Sequence, residues 1–92
     1  MIQSIRHKGL KRLYEDDDQR GVIAEHADKL RDILARLDAA TSAGDMDPPG
    51  FRLHALKGDM KGLWAVTVRA NWRVIFRFGD QGPFDIDYLD YH

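Results

Sequence analysis

Two short stretches of the chain carry side chains that can transfer protons at neutral pH. His54 and Lys57 lie three residues apart in LHALKGD, and the chain closes on Asp90, Tyr91 and His92. A free imidazole titrates near about 6.5, so either histidine can accept or donate a proton at cytoplasmic pH. A histidine at a strand end is often only exposed, and a lysine before Gly-Asp is ordinary turn chemistry. These residues are therefore candidates that need further support.

Basic residues are concentrated around the first of these stretches. Residues 51–79 contain six cations against a single acid, Asp59, although the net charge of the chain is −1. The six are Arg52, Lys57, Lys61, Arg69, Arg73 and Arg77. A second basic group lies at residues 6–12, whereas the acids cluster in EDDD at 15–18, in the middle segment and in the last predicted strand. One face of such a domain can bind a polyanion; the alternative is simple solvated surface charge.

These groups match the requirements of RNA cleavage by attack of a 2′-OH on the adjacent phosphate. That reaction needs a base for the 2′-OH, an acid for the leaving 5′-oxygen and cations for the charged phosphorane, and it needs no metal or other cofactor. Other chemistries find little support. The chain has no cysteine, Ser4 and Ser42 lack a G-x-S-x-G context, and the four histidines show no metal-ligand spacing. No glycine pattern resembles a nucleotide-binding loop.

The length and composition predict one globular domain spanning residues 1–92. Hydrophobic residues make up 43% of the chain and charged residues 32%, which is typical of folded domains. No apolar run approaches 18 residues, and the N-terminus is charged from Arg6 onward without a hydrophobic signal core. We expect a cytoplasmic protein without a membrane segment.

Hydrophobic periodicity predicts helices followed by strands. Residues 1–5 form a possible short strand, HKGLKRLY at 7–14 predicts a short basic helix, and EDDDQRG predicts a loop. Apolar residues spaced by three and four predict an amphipathic helix over 22–42, and the prolines of 44–50 predict a loop. From Phe51 the period becomes two, and FRLHAL, LWAVTVR, WRVIFRF and FDIDYL predict four strands. This order indicates an α+β fold, with the helices on one face of a mostly antiparallel sheet.

The hairpin LWAVTVRANWRVIFRF suggests a register. Placing Arg69 opposite Arg73 brings Val68 to Val74, Val66 to Phe76 and Trp64 to Phe78, which gives an apolar face for the helices. Two arginines directly across a ladder repel by a few tenths of a kcal/mol, roughly, and a bound phosphate would offset this. Alternatively, both arginines point to water or pair with Asp85 or Asp87.

Several of these motifs resemble HigB, a bacterial toxin of the RelE type. The similarity lies in LHALKGD, WAVTVRANWRVIF and the terminal DYH, together with the opening MIQSIRHKGLKRLYE, and it extends along the whole chain. It implies two N-terminal helices over a curved, mostly antiparallel sheet, and a ribosome-dependent endonuclease that cuts mRNA in the A site. It also implies a helix-turn-helix antitoxin of the HigA type, which neutralises the toxin and represses their operon by binding operator DNA.

The resemblance assigns roles to individual residues. His54 and Lys57 match the basic residues around the scissile phosphate, Arg73 matches the phosphate-stabilising arginine, and Asp90, Tyr91 and His92 match the terminal catalytic group. His92 and Tyr91 are then the proton-transfer and positioning pair, Asp90 orients His92 or acts as base, and Lys57 and Arg73 stabilise charge. Which residue is base and which is acid stays open. The expected substrate-binding residues are Arg69, Asn71, Lys61 and Arg77. All of these assignments require the cations and the final residues to converge around one phosphodiester.

Three other interpretations stay open at this point. ParE-like toxins are expected to share this architecture while poisoning DNA gyrase, although a gyrase poison needs no proton-transfer residues. A non-catalytic toxin relic that binds the ribosome, or a simple interaction module, would also fit the fold. The acids at 15–18 and the net charge of −1 depart from the generally basic RelE-type toxins and could weaken ribosome binding.

Overall fold

The expected order of helices and strands is present in a computed structural model, which describes residues 1–91. The helices are α1 (Lys8–Asp16) and α2 (Ala27–Ala39), with single 3₁₀ turns at Ala24–His26, Ala43–Met46 and Gly58–Met60. The strands are β1 (His54–Ala55), β2 (Trp64–Arg69), β3 (Trp72–Gly79) and β4 (Gly82–Asp90). The α+β class predicted from the sequence is thus confirmed. Within the described residues, no helix is long and apolar enough to cross a bilayer.

The four strands form one antiparallel sheet in the order β1-β2-β3-β4. The N-terminal residues run parallel to the outer edge of β4, where Ile5 and Ile86 form a bridge. The Arg6 N–H donates to the Ile86 carbonyl at 2.7 Å, and the Ile86 N–H donates to that of Ser4 at 3.1 Å. The short strand expected at 1–5 is therefore a single parallel bridge that covers part of the edge of β4.

The main core lies between the helices and one face of the sheet. Leu30, Ile33 and Leu37 of α2 are fully buried against the alternate residues of the strands, among them Val66 and Phe76. Burying each such side chain contributes about 1.5–3 kcal/mol. The spacing of three and four in α2 and of two in the strands therefore produces the two-layer arrangement.

The opposite side of the sheet, here called the distal face, carries a second and smaller apolar cluster. We define this face by Ala65, Thr67, Arg73, Ile75, Asp87 and Leu89, which alternate with the residues of the main core. Leu56, Met60 and Leu63 pack against Ala65, Ile75 and Leu89. The segment 57–62 therefore folds over the distal face.

α1 is longer than the sequence predicted because both of its ends are capped. The His7 Nδ1 accepts the Leu10 N–H at 3.0 Å, which caps the N-terminus. At the other end Asp17 adopts a left-handed conformation with φ 52°, and its N–H bonds to the Arg12 carbonyl. Glu15 and Asp16, expected in a loop, are consequently helical.

α2 is shorter than the predicted 22–42 segment. A 3₁₀ turn replaces its first residues, and the helix ends at Ala39, where Ala40 becomes extended. The Asp45 carboxylate accepts both the Thr41 N–H and the Thr41 hydroxyl, at 2.9 and 3.0 Å. This contact draws the chain away from the axis of α2 before Gly44, where the sequence predicted the helix to stop.

The predicted hairpin register is wrong by two residues. Thr67, not Arg69, lies opposite Arg73, and Val66 lies opposite Val74; a bulge at Val68 then brings Arg69 opposite Trp72. A slip of two residues keeps the side chains before the bulge on their predicted faces, so the apolar face was predicted correctly. The prediction that Arg69 shares the face of Arg73 was wrong, because the bulge turns Arg69 to the side of the helices. The proposed repulsion between paired arginines is absent.

The first predicted strand shrinks to His54–Ala55. Arg52 has φ 52°, which interrupts the extended chain, and the Leu53 N–H bonds to the Asp47 carboxylate at 3.3 Å. The Phe51 carbonyl still accepts the Thr67 N–H at 2.7 Å. The segment thus stays beside β2 while pairing regularly only at its end.

Candidate active site

His54 and Arg73 lie on the same side of the sheet, the distal face. His54 is opposite Ala65, which is opposite Ile75 of β3. Arg73 precedes Ile75 by two residues and is opposite Thr67. Directly opposite residues have Cβ atoms about 5 Å apart and diagonal ones about 7–8 Å. The exposed His54 imidazole in β1 and the Arg73 guanidinium in β3 are therefore separated by one intervening strand and offset by two residues along it.

The His54 ring has a defined proton position. Its Nδ1 lies 3.0 Å from the Arg52 carbonyl oxygen, and a carbonyl oxygen can only accept. The neutral ring therefore carries its proton on Nδ1 and presents the lone pair of Nε2. That is the form needed to remove a proton from a hydroxyl group.

The Arg73 side chain folds toward the hairpin turn. Its Nη1 donates to the Ala70 carbonyl at 2.6 Å and to the Trp72 carbonyl at 3.1 Å. Within residues 1–91, its Nε is buried without a hydrogen-bond partner. A buried donor left unpaired is costly, so an incoming anionic acceptor could stabilise a rearranged guanidinium here.

Tyr91 lies at the end of the sheet that carries the turn between β2 and β3. Its N–H donates to the Asn71 carbonyl at 2.8 Å, next to the turn that holds Arg73. Strand alternation assigns Tyr91 to the side of Leu89, the residue opposite Arg73. The structure thus brings Arg73, Asn71 and Tyr91 together at one corner.

The remaining expected cations lie further along the distal face. Lys57 and Lys61 are exposed in the segment that covers the small apolar cluster. Arg77 contacts the same segment, since a Cβ placed on Gly62 would lie 2.8 Å from its Nη1. Arg77 also pairs with Asp85, with 3.8 Å between Nε and the carboxylate.

Arg69 and Asp90 lie at this corner but across the sheet. Both are opposite Trp72, Arg69 from β2 and Asp90 from β4, on the side that faces the helices. The Arg69 guanidinium is 3.8 Å from the Glu25 carboxylate. The alternative pairing of Asp85 or Asp87 with Arg69 or Arg73 is not observed: Asp85 pairs with Arg77, and Asp87 accepts the Tyr88 N–H at 2.9 Å.

His92 lies outside the described residues, so its approach to Lys57 and Arg73 stays a prediction. Among residues 1–91, no group of three or more His, Asp or Glu side chains is arranged to hold a metal ion.

Sequence reasoning missed a buried cluster of rings at the same end of the molecule. His26, 6% exposed, lies 2.6 Å from the Tyr88 hydroxyl through Nδ1, and Trp72 and His7 pack against the pair. A signal for His26 was present, because it precedes Leu30 by four residues and thus lies on the apolar stripe of the helix. Tyr88 likewise alternates with Ile86 in the last strand.

Known toxins share both this fold and this sequence pattern. The chain has the fold of a YoeB/ParE toxin from Agrobacterium tumefaciens, with a TM-score of 0.63, 19% identity, and coverage of 100% of this chain and 99% of that one. Residues 3–92 match the family described as the RelE-like toxin of the type II toxin–antitoxin system HigB.

Curated relatives agree with that match. The chain is 45% identical over its full length to the full length of "Endoribonuclease HigB" of Proteus vulgaris. It is 34% identical to "Toxin HigB-1" of Vibrio cholerae serotype O1, covering 100% of this chain and 98% of the relative. The chain belongs to the HigB family of RelE-like toxins, which confirms the resemblance found in the sequence. Membership of a type II toxin–antitoxin system implies that a cognate antitoxin exists for this toxin.

Proposed function

We propose that this toxin is an endoribonuclease that cleaves mRNA in the ribosomal A site by metal-independent attack of a 2′-OH. Full-length identity of 45% to a protein named an endoribonuclease supports the class of reaction. The observation that carries the proposal is geometric: His54, Arg73 and the Asn71–Tyr91 contact share one face of the sheet, with cations along it. We place its action in the cytoplasm, where translating ribosomes are.

The proposed chemistry divides among these groups. The Nε2 lone pair of His54 is suited to accept the 2′-OH proton. Arg73 supplies a fork of donors for the phosphorane oxygens, and Lys57 is proposed to add positive charge from the segment that covers the distal face. His92 and Tyr91 are proposed to transfer a proton to the leaving 5′-oxygen and to position that oxygen. Asp90 is proposed either to orient His92 or to act as the base.

The remaining expected residues extend the site to neighbouring nucleotides. Lys61 and Arg77 border the segment that covers the distal face and are proposed to hold flanking phosphates. Asn71 holds Tyr91 through its carbonyl, and its amide is proposed to face the corner where the reacting nucleotide would bind. Arg69, across the sheet, is proposed to contact the RNA strand as it leaves that corner.

The cognate antitoxin is proposed to be a HigA-like helix-turn-helix protein, through which the toxin reaches operator DNA indirectly. The proposed substrate is mRNA held by the ribosome, which would align the RNA along the distal face.

The test maps mRNA 5′ ends with and without ribosomes, for the wild type, Arg73→Ala and His92→Ala. Arg20→Ala is the matched control, because the Arg20 side chain is 88% exposed and its guanidinium pairs with Asp18 at 2.9 Å. We expect codon-spaced breaks only with ribosomes, a loss of about 10²–10³ in rate for Arg73→Ala, and wild-type cleavage by Arg20→Ala.

Three results would contradict the proposal. Breaks on naked RNA that ignore both substitutions would exclude this site. Trapped gyrase–DNA complexes in place of mRNA breaks would indicate a ParE-like poison. Growth inhibition that is unchanged in His92→Ala would indicate a ribosome-binding toxin without catalysis.

A further inference from the structure

A hydrogen bond between two buried rings joins the helix layer to the last strand. His26 ends the 3₁₀ turn that leads into α2, and Tyr88 lies in β4. The His26 Nδ1 and the Tyr88 hydroxyl oxygen are 2.6 Å apart, and the two residues are 6% and 4% exposed. A buried polar pair of this kind is directional, unlike the apolar contacts around it.

Two further rings fix the pair in place. Trp72, at the start of β3, lies with its ring centroid 4.8 Å from that of Tyr88 and 5.7 Å from that of His26. The His7 ring meets the edge of Tyr88 at 5.2 Å while its Nδ1 caps α1. The four rings therefore connect the beginnings of α1, α2 and β3 to one position in β4.

That position is the last point at which β4 enters the core. The N-terminal segment pairs with β4 as far as Ile86, through the Arg6 N–H. After the buried Tyr88, Leu89 is half-buried, and Asp90 and Tyr91 are exposed. The end of β4 is thus held by its pairing with β3 and by the side chain of Tyr88.

The phenol of this pair keeps its proton at neutral pH. Burial raises the pKa of Tyr88 above its usual value, with the backbone N–H of Ile23 acting in the opposite direction. A protonated hydroxyl can both donate and accept, so it can pair with the His26 Nδ1 in either tautomer of that ring.

We propose that His26 and Tyr88 are positioning residues, whose hydrogen bond sets the orientation of the end of β4 and thereby of Tyr91 at the reaction site. Neither residue touches the substrate. The role in catalysis rests on the proposed function, whereas the anchoring of the strand end does not. An error of about 1 Å in the placement of a reacting group can reduce a rate 10²-fold, so one bond beneath the site can control turnover.

Two substitution pairs isolate the bond. Tyr88→Phe keeps the ring and removes only the hydroxyl group. His26→Leu removes the partner of that hydroxyl, whereas His26→Asn keeps a polar amide atom close to the position of Nδ1 and should rescue part of the effect.

The first measurement is amide exchange of Tyr91, whose N–H donates to the Asn71 carbonyl at 2.8 Å. We expect Tyr88→Phe and His26→Leu to accelerate this exchange roughly five- to tenfold, as the loss of one buried hydrogen bond would. The second measurement is cleavage on programmed ribosomes, where we expect kcat to fall about tenfold or more while KM changes less than about twofold.

Two controls separate positioning from general destabilisation. Tyr14→Phe also removes a hydrogen-bonded phenol hydroxyl, which donates to the Asp38 carboxylate at 2.9 Å. This bond does not involve the end of β4. Ile33→Val removes a methylene from the core within α2 and supplies a comparable fall in melting temperature. Neither should accelerate Tyr91 exchange or lower kcat as Tyr88→Phe does.

Unchanged Tyr91 exchange in Tyr88→Phe would overturn the proposal, as would effects on exchange and kcat that Ile33→Val reproduces at equal melting temperature. Accelerated exchange in a protein whose wild type cuts no ribosome-bound mRNA would overturn the proposed function and the catalytic role while supporting the anchoring itself.

Discussion

His7 and His54 each form a hydrogen bond through Nδ1, and the chemistry of the partner decides what each ring can do. The partner of His7 is the Leu10 N–H, a donor, so Nδ1 accepts and the ring serves as a helix cap. The partner of His54 is a carbonyl, so Nδ1 donates and Nε2 keeps its lone pair on the exposed side of the molecule. Two histidines that are equivalent in the sequence thus have opposite tautomers, and of these two only His54 is suited to act as a base.

Asp38 makes stability depend on pH at a site remote from the proposed chemistry. Its carboxylate accepts the Ile2 N–H at 3.0 Å and the Tyr14 hydroxyl at 2.9 Å. These bonds, the Ile2 N–H foremost, hold the pKa of Asp38 below its usual 3.8. The stability they contribute is therefore complete above the unfolded-state pKa and is lost as the pH falls through the lower folded-state pKa.

We predict that Asp38→Asn keeps the shape of these contacts and removes their pH dependence. The side chain is half-exposed, so screening limits the difference to the order of 1 kcal/mol. Melting temperatures of the two proteins should differ above the unfolded-state pKa and converge as the pH falls below the lower folded-state pKa of Asp38. Asp59→Asn, in the exposed 3₁₀ turn, is the control for loss of a carboxylate. An offset that is the same at every pH would contradict the linkage.

At the scale of elements, α1 approaches the 19–22 turn more closely than any side chain would permit. A Cβ on Gly9 would collide with the carbonyl oxygen of Gly21. Glycine lowers the stability of a helix by about 1 kcal/mol relative to alanine, and this close packing explains why Gly9 nevertheless lies in α1.

We predict that Gly9→Ala destabilises the fold by about 2 kcal/mol or more, since overpacking against backbone outweighs the gain in helix propensity. Urea unfolding of this variant and of Gly44→Ala provides the test. A Cβ on the control glycine would meet only the Ser42 hydroxyl oxygen, at 3.8 Å, and its replacement should be close to neutral. A stabilised Gly9→Ala protein would contradict the close approach.

The segment over the distal face contains a second informative pair of glycines. Gly58 and Gly62 both have positive φ, 65° and 94°, but only a Cβ on Gly62 meets another group, the Arg77 Nη1. The end of a flexible side chain can move, so the two alanine variants should lose similar stability, about 1 kcal/mol each.

We predict that only Gly62→Ala displaces Arg77 and raises KM on programmed ribosomes, by a few-fold, roughly the effect of weakening one exposed charged contact. Gly58→Ala is the matched control for backbone strain. Equal KM values in the two variants would show that Arg77 does not contact the substrate.

The features that the sequence predicted and those it missed differ in physical origin. Periods of 3.6 and two depend on burial, so the apolar faces of α2 and of the hairpin strands were predictable. Pairing depends on local backbone geometry that alternation does not encode. The bulge at Val68 moved Arg69 to the side of Glu25, and φ 52° at Asp85 bulges β4 beside Arg77. The ends of α2 and β1 depend on local hydrogen bonds of the Asp45 and Asp47 carboxylates to nearby backbone N–H groups, which hydrophobic periodicity does not encode either.

At the scale of the whole molecule, the acids at 15–18 and the candidate RNA-binding cations lie in different layers. The acids at 15–18 lie on or after α1 in the helix layer, whereas Arg73, Arg77, Lys57 and Lys61 border the distal face. The shortest dimension of the molecule is 25 Å, and the Debye length at 0.1 M salt is about 10 Å. At physiological salt the acids at 15–18 are thus largely screened from the distal face, so a net charge of −1 is compatible with binding of a polyanion there.

This arrangement predicts which cations carry the salt dependence of binding. Each phosphate contact to single-stranded RNA contributes about 0.7 to the slope of log K against log salt. Lys61→Gln should lower that slope by about this amount for programmed ribosomes, measured over about 50 to 200 mM salt. Arg20→Gln makes the same change in net charge beside Asp18 and should leave the slope unchanged. If both variants shift affinity and slope equally, net charge governs binding and the distal face has no privileged role; if only Lys61→Gln does so, the RNA lies along the segment 57–62.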